Sequence, residues 1–488
     1  MPRLAWFTPT PPGRSGIAAY NEELLPVLAP RYDIDVFTSP LVADQARPEG
    51  HPAVFDAHDF AWKNFTSAYD LVVYQLGNAM CHTFMWPHLF RHPGLVVLHD
   101  GQLHHARARA LLARGRADDY YAEFHANHPG APEDAPELVI RDFADSTYYF
   151  WPMLKLVVES ARLVAVHTPR LADDLASQFG VEVESIRMGV VDPRSVRVPV
   201  EAGVDPASAD REPRRALRAR HGLANDAVVF AAFGLVTPEK RISQVLQVLP
   251  DVLRVAPSAH LLLVGNTAEH YDAVGEAREL GVADHVTLTG YVPDDEVPTY
   301  LSSADVCLCL RWPTGRETSA SWLRALAAGR ATVVTDLAHA DEMACLDPRT
   351  WTVQPAGSGE AVSEAVPRAV CVGIDILDEK HSLALAMSRL ATDTAQRASL
   401  GQAARAHWEQ YHTLARMVED YERVIERTLV RPAGRRDNLP PHLEEDGTEL
   451  AREMTSTLGV HVDFLDTPHG ATGWSPVPVK SPTVKSSA

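Results

Sequence analysis

Short apolar runs alternate with longer stretches of helical periodicity along most of this chain. In the first half the apolar runs are LAWFT, IDVFTS, LVVYQL, GLVVLHD and RLVAVHT. In the second half they are VVFAAFG, HLLLVG, HVTLTG, ADVCLCL and ATVVTD. Nearly continuous apolar strands separated by helices are typical of parallel sheets covered by helices on both faces. The pattern therefore predicts an α/β fold built on such sheets.

The segment 193–225 interrupts this alternation because it is rich in Pro, Asp and Arg. It predicts a linker between an α/β domain at 1–192 and a second α/β domain at 226–410. The segment 411–430 is a strongly periodic amphipathic helix in this interpretation. The segment 431–488 is rich in Pro, Ser and charge, with little apolar periodicity, and we expect it to be a disordered tail.

Composition narrows the classes of function. The chain has 488 residues, too many for a single core. Its 45 basic and 64 acidic residues give a net charge of −19, which argues against nucleic acid as a partner. None of its five cysteines forms a C-x-x-C pair, so we expect a reduced, cytoplasmic protein. It has no apolar run of about 18 residues, so no membrane-spanning helix is expected; peripheral contact with the inner face of a membrane stays compatible.

Two basic residues follow a strand that ends at Gly234, in FGLVTPEKRISQVL. Open α/β sheets bind ligands beyond the carboxyl ends of their strands, and Lys240 and Arg241 stand there, at the start of the next helix. Arg grips phosphate oxygens bidentately and Lys acts as a point charge, so the pair predicts diphosphate binding. The alternative is a solvated basic pair, although the helix dipole disfavours cations at this end.

A single acid and several small residues precede the helical pattern in RWPTGRETSASWLRALAAG, at 311–329. If the helix begins near Thr318, the N–H groups of Thr318, Ser319 and Ala320 are unpaired donors that can meet a phosphate. Glu317 would then accept hydrogen bonds from sugar hydroxyls. An ordinary helix start, where an acid favours the dipole, explains Glu317 equally well.

Polar residues follow two strands of the first half, in YQLGNAMCHTF and VLHDGQLHH. We expect one cleft to be faced by Asn78, His82, His99 and Asp100. A His–Asp pair can orient hydroxyls and hold charge. The group of His99, His104 and His105 raises the alternative of a metal, but its spacing matches no standard zinc pattern.

Two further loops are candidate ligand contacts. In PTPPGRSGIAAY, Gly16 belongs to a loop between a strand and a helix that could lie against a phosphate or simply turn the chain. In LTGYVPDDEVPTYLSSADV, Tyr291 and Val292 follow a strand end and could wall a base pocket. A turn and a capped helix start explain Asp294 and Asp295 in that segment, but not Tyr291.

Several of these motifs, taken in order and spacing, resemble a known family. They are PPGRSGIAAY, FGLVTPEKR, LLLVG, HVTLTGYVPDDEVPTYLSSADVCLCLR and RETSASWLRALAAG. Together they resemble the retaining glycosyltransferases of family 4, which have the GT-B fold, and the likeness covers about residues 1–430. YQLGN and VLHDGQLHH resemble a bacterial subgroup. The resemblance implies two Rossmann-like domains facing a cleft, the second holding a nucleotide sugar and the first an acceptor, with the helix at 411–430 crossing back to the first.

The resemblance also implies roles for individual residues. Lys240 and Arg241 would bind the diphosphate, which Gly16 would border. Glu317 would contact the transferred sugar, and His99 would lie near the reacting centre. Further substrate contacts are expected from Asn78, His82, Asp100, Gly234, Tyr291, Val292, Thr318, Ser319, Ala320 and Arg324.

This sequence departs from the family's pattern near the helix start at 320. Arg324 stands where the family usually has a second Glu that holds the ribose. Arg324 therefore either reaches the nucleotide in place of that carboxylate or turns away and leaves the ribose to another group. Glu317 lies one place from the usual spacing, and Ala331 replaces a common Pro.

The expected function is sugar transfer from a GDP- or UDP-sugar to an acceptor hydroxyl, with retention of anomeric configuration. The acceptor would be a glycan, a lipid-linked molecule or a small molecule, in polysaccharide or cell-envelope glycan assembly. No cofactor or metal is expected, because no acidic metal-ligand cluster is apparent. Two alternatives stay open: a non-catalytic nucleotide-sugar-binding partner protein, and a sugar-nucleotide epimerase of similar fold.

Overall fold

The computed structural model describes residues 1–13, 15–39, 50–141, 147–195, 211–337, 343–354, 368–434, 439–444, 454–456 and 458–459. The chain divides into one unit at Met1–Pro440 and another at Pro441–Ala488. Both sheets and both cavities described below belong to the first unit. Most of the predicted tail, and part of the predicted linker, lie outside the described residues, so the predicted domain bounds stay predictions.

The first sheet is parallel and contains seven strands within the described ranges. They are Arg3–Phe7 (β1), Asp33–Thr38 (β2), Ala53–Asp56 (β3), Leu71–Leu76 (β4), Leu95–Leu98 (β5), Leu163–Val166 (β6) and Val183–Ser185 (β7). Their order in the sheet is β3-β2-β1-β4-β5-β6-β7. The order reverses between β1 and β4, which is the switch point where such sheets bind ligands.

The second sheet has eight strands in the part of the chain that is described. They are Val229–Phe233 (β8), His260–Val264 (β9), Val286–Leu288 (β10), Val306–Cys309 (β11), Ala331–Thr335 (β12), Cys345–Leu346 (β13), Val353–Gln354 (β14) and Cys371–Ile374 (β15). Their order is β10-β9-β8-β11-β12-β15-β13-β14, and only the edge pair β13–β14 is antiparallel among these strands. The switch point lies between β8 and β11.

Helices connect the strands. The α-helices of the first half are Gly16–Leu28 (α1), Phe60–Thr66 (α2), Trp86–Leu89 (α3), His104–Leu112 (α4), Ala117–Asn127 (α5), Ala135–Ile140 (α6), Thr147–Phe150 (α7), Lys155–Ser160 (α8) and Pro169–Phe179 (α9). Those of the second half are Arg211–Arg220 (α10), Ile242–Val255 (α11), Ala273–Glu279 (α12), Val297–Ser303 (α13), Ala320–Ala327 (α14), Glu379–Thr392 (α15), Thr394–Tyr411 (α16), Leu414–Leu429 (α17) and Pro441–Glu444 (α18). Short 3-10 helices span Ala57–Asp59, Met80–Met85, Pro238–Lys240, Ala283–His285 and Ile376–Asp378. None of the helices in the described ranges is long and apolar enough to cross a membrane.

Both faces of the second sheet are covered, because successive side chains of β8 are buried in two different apolar clusters. Phe230 and Ala232 are buried in one apolar cluster with α11 and α15. Val229, Ala231 and Phe233 are buried in another cluster with α10 and α13. Successive side chains of a strand point to opposite faces, so a strand buried on both faces is apolar at every position. The predicted α/β fold with two-faced parallel sheets is confirmed.

Helix α17 returns to the first sheet. Helix α17 packs against α1, and the hydroxyl of Tyr421 lies 2.7 Å from that of Tyr20. The side-chain amide of Gln75 in β4 lies within hydrogen-bonding distance, 3.1 Å, of the same Tyr421 hydroxyl. Just before α17 the backbone N–H of Val190 donates to the carbonyl of His412 at 3.0 Å. These bonds hold α17 beside the first sheet.

The close approach of Gly189 to Thr413 gives a stability prediction. A Cβ at Gly189 would lie 2.5 Å from the Thr413 carbonyl oxygen, so Gly189→Ala must displace backbone. We expect it to lower the free energy of unfolding by about 1–3 kcal/mol, measured by urea denaturation with circular dichroism. Gly130→Ala is the matched control because a Cβ there meets nothing within 4 Å; equal stability of the two variants would contradict the packing described.

Candidate active site

A cavity of about 1070 Å³ lies between the carboxyl ends of the two sheets. Many of the predicted site residues line it: Gly16, Asn78, His82, His99, Asp100, Lys240, Glu317, Thr318, Ser319 and Ala320. A second cavity of about 310 Å³ is lined by the predicted residues Gly234, Tyr291, Val292 and Arg324. Arg241 lines neither cavity.

Parallel strands explain this convergence. Asn78 and Asp100 come directly after the neighbouring strands β4 and β5. Lys240 and Glu317 follow β8 and β11, which are also neighbours. Because the carboxyl ends of parallel strands lie at one edge of a sheet, residues far apart in sequence face the same space.

Lys240 extends into the larger cavity from the short helix Pro238–Lys240. Its ammonium donates to the carbonyl oxygen of Phe233. The φ of Gly234 is +86°, which favours glycine, and a Cβ there would lie 2.8 Å from that ammonium and displace it. Burial, and then the nearby Arg311, lower the pKa of Lys240 to about 7. A bound anion would therefore raise the fraction of Lys240 that is protonated near neutral pH.

Arg241 does not join Lys240 in the cavity. Its backbone is left-handed, with φ of 58°, and its Nε donates to Glu379 of α15 at 2.7 Å. This conformation and this ion pair direct the guanidinium away from both cavities. The adjacent basic pair that the sequence suggested for a diphosphate is therefore not assembled here.

Arg311 and Tyr149 are among the cavity residues that the sequence analysis missed. Arg311 directly follows the end of β11, and its Nε lies 2.7 Å from Oε1 of Glu317. Its place just beyond a strand could have identified it, as it did Lys240. Tyr149 belongs to α7, and burial, Glu239 and Glu317 raise its pKa to about 12. No strand end precedes Tyr149, so no signal of this kind pointed to it.

The loop before α14 joins the two sheets' domains across the cleft. The N–H of Gly101 donates to the Gly315 carbonyl at 2.5 Å, and Arg316 pairs with Asp174 of α9. Helix α14 begins at Ala320, two residues later than expected, and the hydroxyl of Ser319 caps it by accepting from the N–H of Trp322 at 3.3 Å. The small residues thus stand at a capped helix start that lines the cavity.

Two carboxyl groups meet in this cleft, one from each side. Asp100 accepts from the N–H of Asn78 at 2.7 Å. Burial and the neighbouring Glu317 raise the pKa of Asp100 to about 7. Glu317 also accepts from the hydroxyl of Thr314 at 3.0 Å. Near neutral pH, therefore, Asp100 is partly protonated beside an acid that is paired with Arg311.

Arg324 lines the smaller cavity and also reaches the first sheet's domain. One guanidinium nitrogen donates to Glu23 of α1 at 2.6 Å, and Glu23 accepts from the N–H of Val191 at 3.2 Å. Arg324 was expected either to reach the nucleotide or to turn away from it. In the structure it borders the cavity and is at the same time paired with a carboxylate of α1. The exposed Tyr291 lines the same cavity.

Comparison with known proteins shows what the second half of this chain is similar to. Residues 226–370, which contain Lys240, Arg311, Glu317 and Arg324, match the family model described as glycosyl transferases group 1. The matched residues contain most strands of the second sheet. They also supply the second-sheet side of the cavity, including the capped start of α14.

Curated relatives match part of this chain. A GDP-mannose-dependent alpha-(1-6)-phosphatidylinositol monomannoside mannosyltransferase of Mycolicibacterium smegmatis is 27% identical over 211 residues, which is 43% of this chain and 50% of that protein. A 2-deoxystreptamine glucosyltransferase of Streptomyces kanamyceticus is 26% identical over 29% of this chain and 34% of its own length. This chain thus spans half or less of the length of these two relatives.

Solved structures extend the likeness to both sheets. Sucrose-phosphate synthase from Thermosynechococcus elongatus superposes with a TM-score of 0.59 at 16% identity, over 88% of this chain and 99% of its own. WaaG, a glycosyltransferase involved in lipopolysaccharide biosynthesis, gives a TM-score of 0.55 at 14% identity, over 86% and 99%. At such identities the likeness concerns the fold, and the predicted GT-B fold is confirmed.

In this glycosyltransferase fold, His99 lies at the cavity wall but both of its ring nitrogens are engaged inside the protein. His167 must donate from Nδ1 to the Ile186 carbonyl, 2.9 Å away, because a carbonyl only accepts. Burial lowers the pKa of His167 to about 4, so its other nitrogen is an acceptor. Nδ1 of His99 lies 3.0 Å from that nitrogen and therefore donates to it.

The remaining nitrogen of His99 faces the amide of Gln75, with Nε2 and Oε1 2.8 Å apart. Burial lowers the pKa of His99 well below its usual value, so Nε2 carries no proton. The network is then satisfied when the Gln75 amide presents its NH₂ group to His99 and its oxygen to the hydroxyl of Tyr421. His99 can shape the cavity wall, but neither ring nitrogen is available to move a proton to a substrate.

The other predicted histidines are also held by the fold. Nδ1 of His82 lies 3.0 Å from the carbonyl oxygen of Gln75, and burial lowers the pKa of His82 to about 4. His104 is buried with its Nε2 2.7 Å from the hydroxyl of Tyr120. Within the ranges described, no group of three or more His, Cys, Asp or Glu side chains is placed to hold a metal ion.

The protonation of His99 can be tested directly. We expect His99 to be neutral at pH 6.5, with its proton on Nδ1, because burial lowers its pKa well below that value. ¹⁵N NMR of histidine-labelled protein, with the resonance assigned through His99→Asn, reports the tautomer and charge. An imidazolium signal at pH 6.5 would show that the assignment of this network is wrong.

Proposed function

We propose that the protein transfers a sugar from a nucleoside-diphosphate sugar to an acceptor hydroxyl, with retention of anomeric configuration. One observation carries the proposal: Lys240, Glu317 and the start of α14 meet in one cavity between the two sheets. An ammonium and backbone donors suit the diphosphate, and a carboxylate suits sugar hydroxyls. The adjoining cavity beside Tyr291 suits the base and ribose.

The proposed chemistry is the stabilisation of a leaving group. When the bond from the sugar to the diphosphate breaks, negative charge develops on the phosphate oxygen, and a cation already in place lowers the energy of that state. The leaving phosphate oxygen would accept the acceptor's proton on the same face of the sugar. This route needs no side-chain base, which agrees with the engagement of both ring nitrogens of His99.

The substrates are proposed as classes. The GDP-mannose dependence in the name of one relative, and a structure of Anabaena HepE in complex with UDP that has the same fold, support GDP- or UDP-sugars as donors. The acceptor side is the first sheet's wall, with Asn78, Asp100 and Tyr149. A glycan, lipid-linked or small polyhydroxylated acceptor fits, and we place the reaction in glycan assembly in the cytoplasm, at or near the inner membrane face.

The proposal predicts that UDP or GDP binds the full-length chain and that Lys240 is required. At a ligand concentration of about 100 Kd, binding adds about 2.7 kcal/mol of stability, which a thermal-shift measurement detects. We expect Lys240→Ala to abolish this shift and to lower release of nucleoside diphosphate from a sugar donor by about 100-fold. Lys380→Ala, an exposed lysine of α15, is the control. Tight donor binding without turnover would favour a non-catalytic role instead.

The pKa of Lys240 gives the sign of the pH dependence. Below about pH 7 the amine of the free protein is already charged, whereas above it binding of an anion must take up a proton. Between pH 7 and 9 we therefore expect the affinity for UDP or GDP to fall by up to about tenfold per unit, measured by calorimetry. Lys240→Arg should remove the dependence, because Arg keeps its charge. An unchanged wild-type affinity over this range would contradict the assignment.

A further inference from the structure

A second cation besides Lys240 stands on the second sheet's side of the larger cavity, and it is not Arg241. Arg311 follows β11, the direct neighbour of β8, whose loop carries Lys240. The two side chains are close enough that the charge of Arg311 contributes to lowering the pKa of Lys240. Arg241, by contrast, is tied to Glu379 outside the cavity.

Arg311 has one acidic partner in the described part of the cleft, and this pair is partly exposed to solvent. The Arg311 side chain is 35% exposed and that of Glu317 is 19% exposed. Ion pairs that water reaches are weak, so another anion can replace the carboxylate. A phosphate is well suited, because a guanidinium binds two of its oxygens at once.

Two further neighbours of Glu317, Asp100 and Thr314, favour the separation of its carboxylate from Arg311. It lies beside Asp100, and the repulsion between the two carboxylates raises the pKa of Asp100. The hydroxyl of Thr314 donates to Glu317 from the same loop and would still hold it after Arg311 is lost. Glu317 can therefore keep its position after it separates from Arg311, and its carboxylate oxygens can then accept hydrogen bonds from another donor.

We propose that Arg311 is the second diphosphate-binding cation of the site and that donor binding exchanges its partner. Phosphate oxygens replace the carboxylate of Glu317 on Arg311, and Glu317 then accepts hydrogen bonds from hydroxyls of the donor's sugar. No covalent bond changes in this step. The inference rests on the proposed function, since it assumes a nucleoside-diphosphate sugar in this cavity.

The exchange makes Glu317 a competitor of the diphosphate and a partner of the sugar. Its removal should therefore have opposite effects on two probes. Glu317→Gln should bind UDP or GDP more tightly, because Arg311 is already free. The same variant should gain nothing, or lose affinity, for UDP-glucose or GDP-mannose, because the sugar contact is weakened.

The test is calorimetry on the full-length chain with UDP, GDP, UDP-glucose and GDP-mannose. We expect Arg311→Gln to weaken binding of the nucleoside diphosphate by about tenfold or more, and Arg311→Lys to recover part of the loss because the charge returns. Glu317→Gln should tighten it by about threefold or more, and this gain should vanish in the double variant. Arg254→Gln, an exposed arginine of α11, is the matched control.

The outcomes separate this inference from the proposed function. If Lys240→Ala abolishes nucleotide binding while Arg311→Gln changes it by less than twofold, Arg311 is not the second cation, although the site binds a nucleotide. A larger loss in Arg241→Gln than in Arg311→Gln would also overturn the inference. An equal gain for Glu317→Gln with both kinds of probe would exclude the exchange of partners. If neither UDP nor GDP binds the wild type, the proposed function itself fails.

Discussion

The direction of the strands is the constraint on which the rest of this structure depends. Parallel strands with helices between them deliver every loop that follows a strand to the same edge of the sheet. At the switch points, between β1 and β4 and between β8 and β11, neighbouring loops diverge and leave space. The larger cavity fills the space where the two edges face each other. Its chemistry is therefore set by a few residues that follow β4, β5, β8 and β11.

The buried polar network around Gln75 shows how this edge is kept rigid. Tyr421 comes from the last long helix of the compact unit, and Gln75 comes from the middle of the first sheet. Through Gln75, the position of His99 depends on a helix more than 300 residues away in sequence. Removing one member leaves buried donors or acceptors without partners, which is costly. This network explains why His99 lines the cavity although both of its ring nitrogens are hydrogen-bonded within the protein.

The sequence predicted the fold and the general place of the site, because both follow from local patterns. Apolar runs gave the strands, and Lys240 and Glu317 stand where strands end. It did not predict which way a side chain turns: Arg241 adjoins Lys240 in sequence, but a left-handed backbone and an ion pair with Glu379 separate them. Nor did it predict Tyr149, whose place in the cleft depends on packing of α7 rather than on any strand.

The charged groups in the cleft determine the protonation of Lys240 and Asp100 in the ligand-free site. Among the charged groups that line the larger cavity, two cations, Lys240 and Arg311, stand near two carboxyl groups, Asp100 and Glu317. The lowered pKa of Lys240 and the raised pKa of Asp100 both reduce the number of buried charges before any ligand arrives. A diphosphate adds negative charge, which favours the protonated form of both groups. In the proposed transfer, Lys240 would then be protonated beside the leaving phosphate, where negative charge develops.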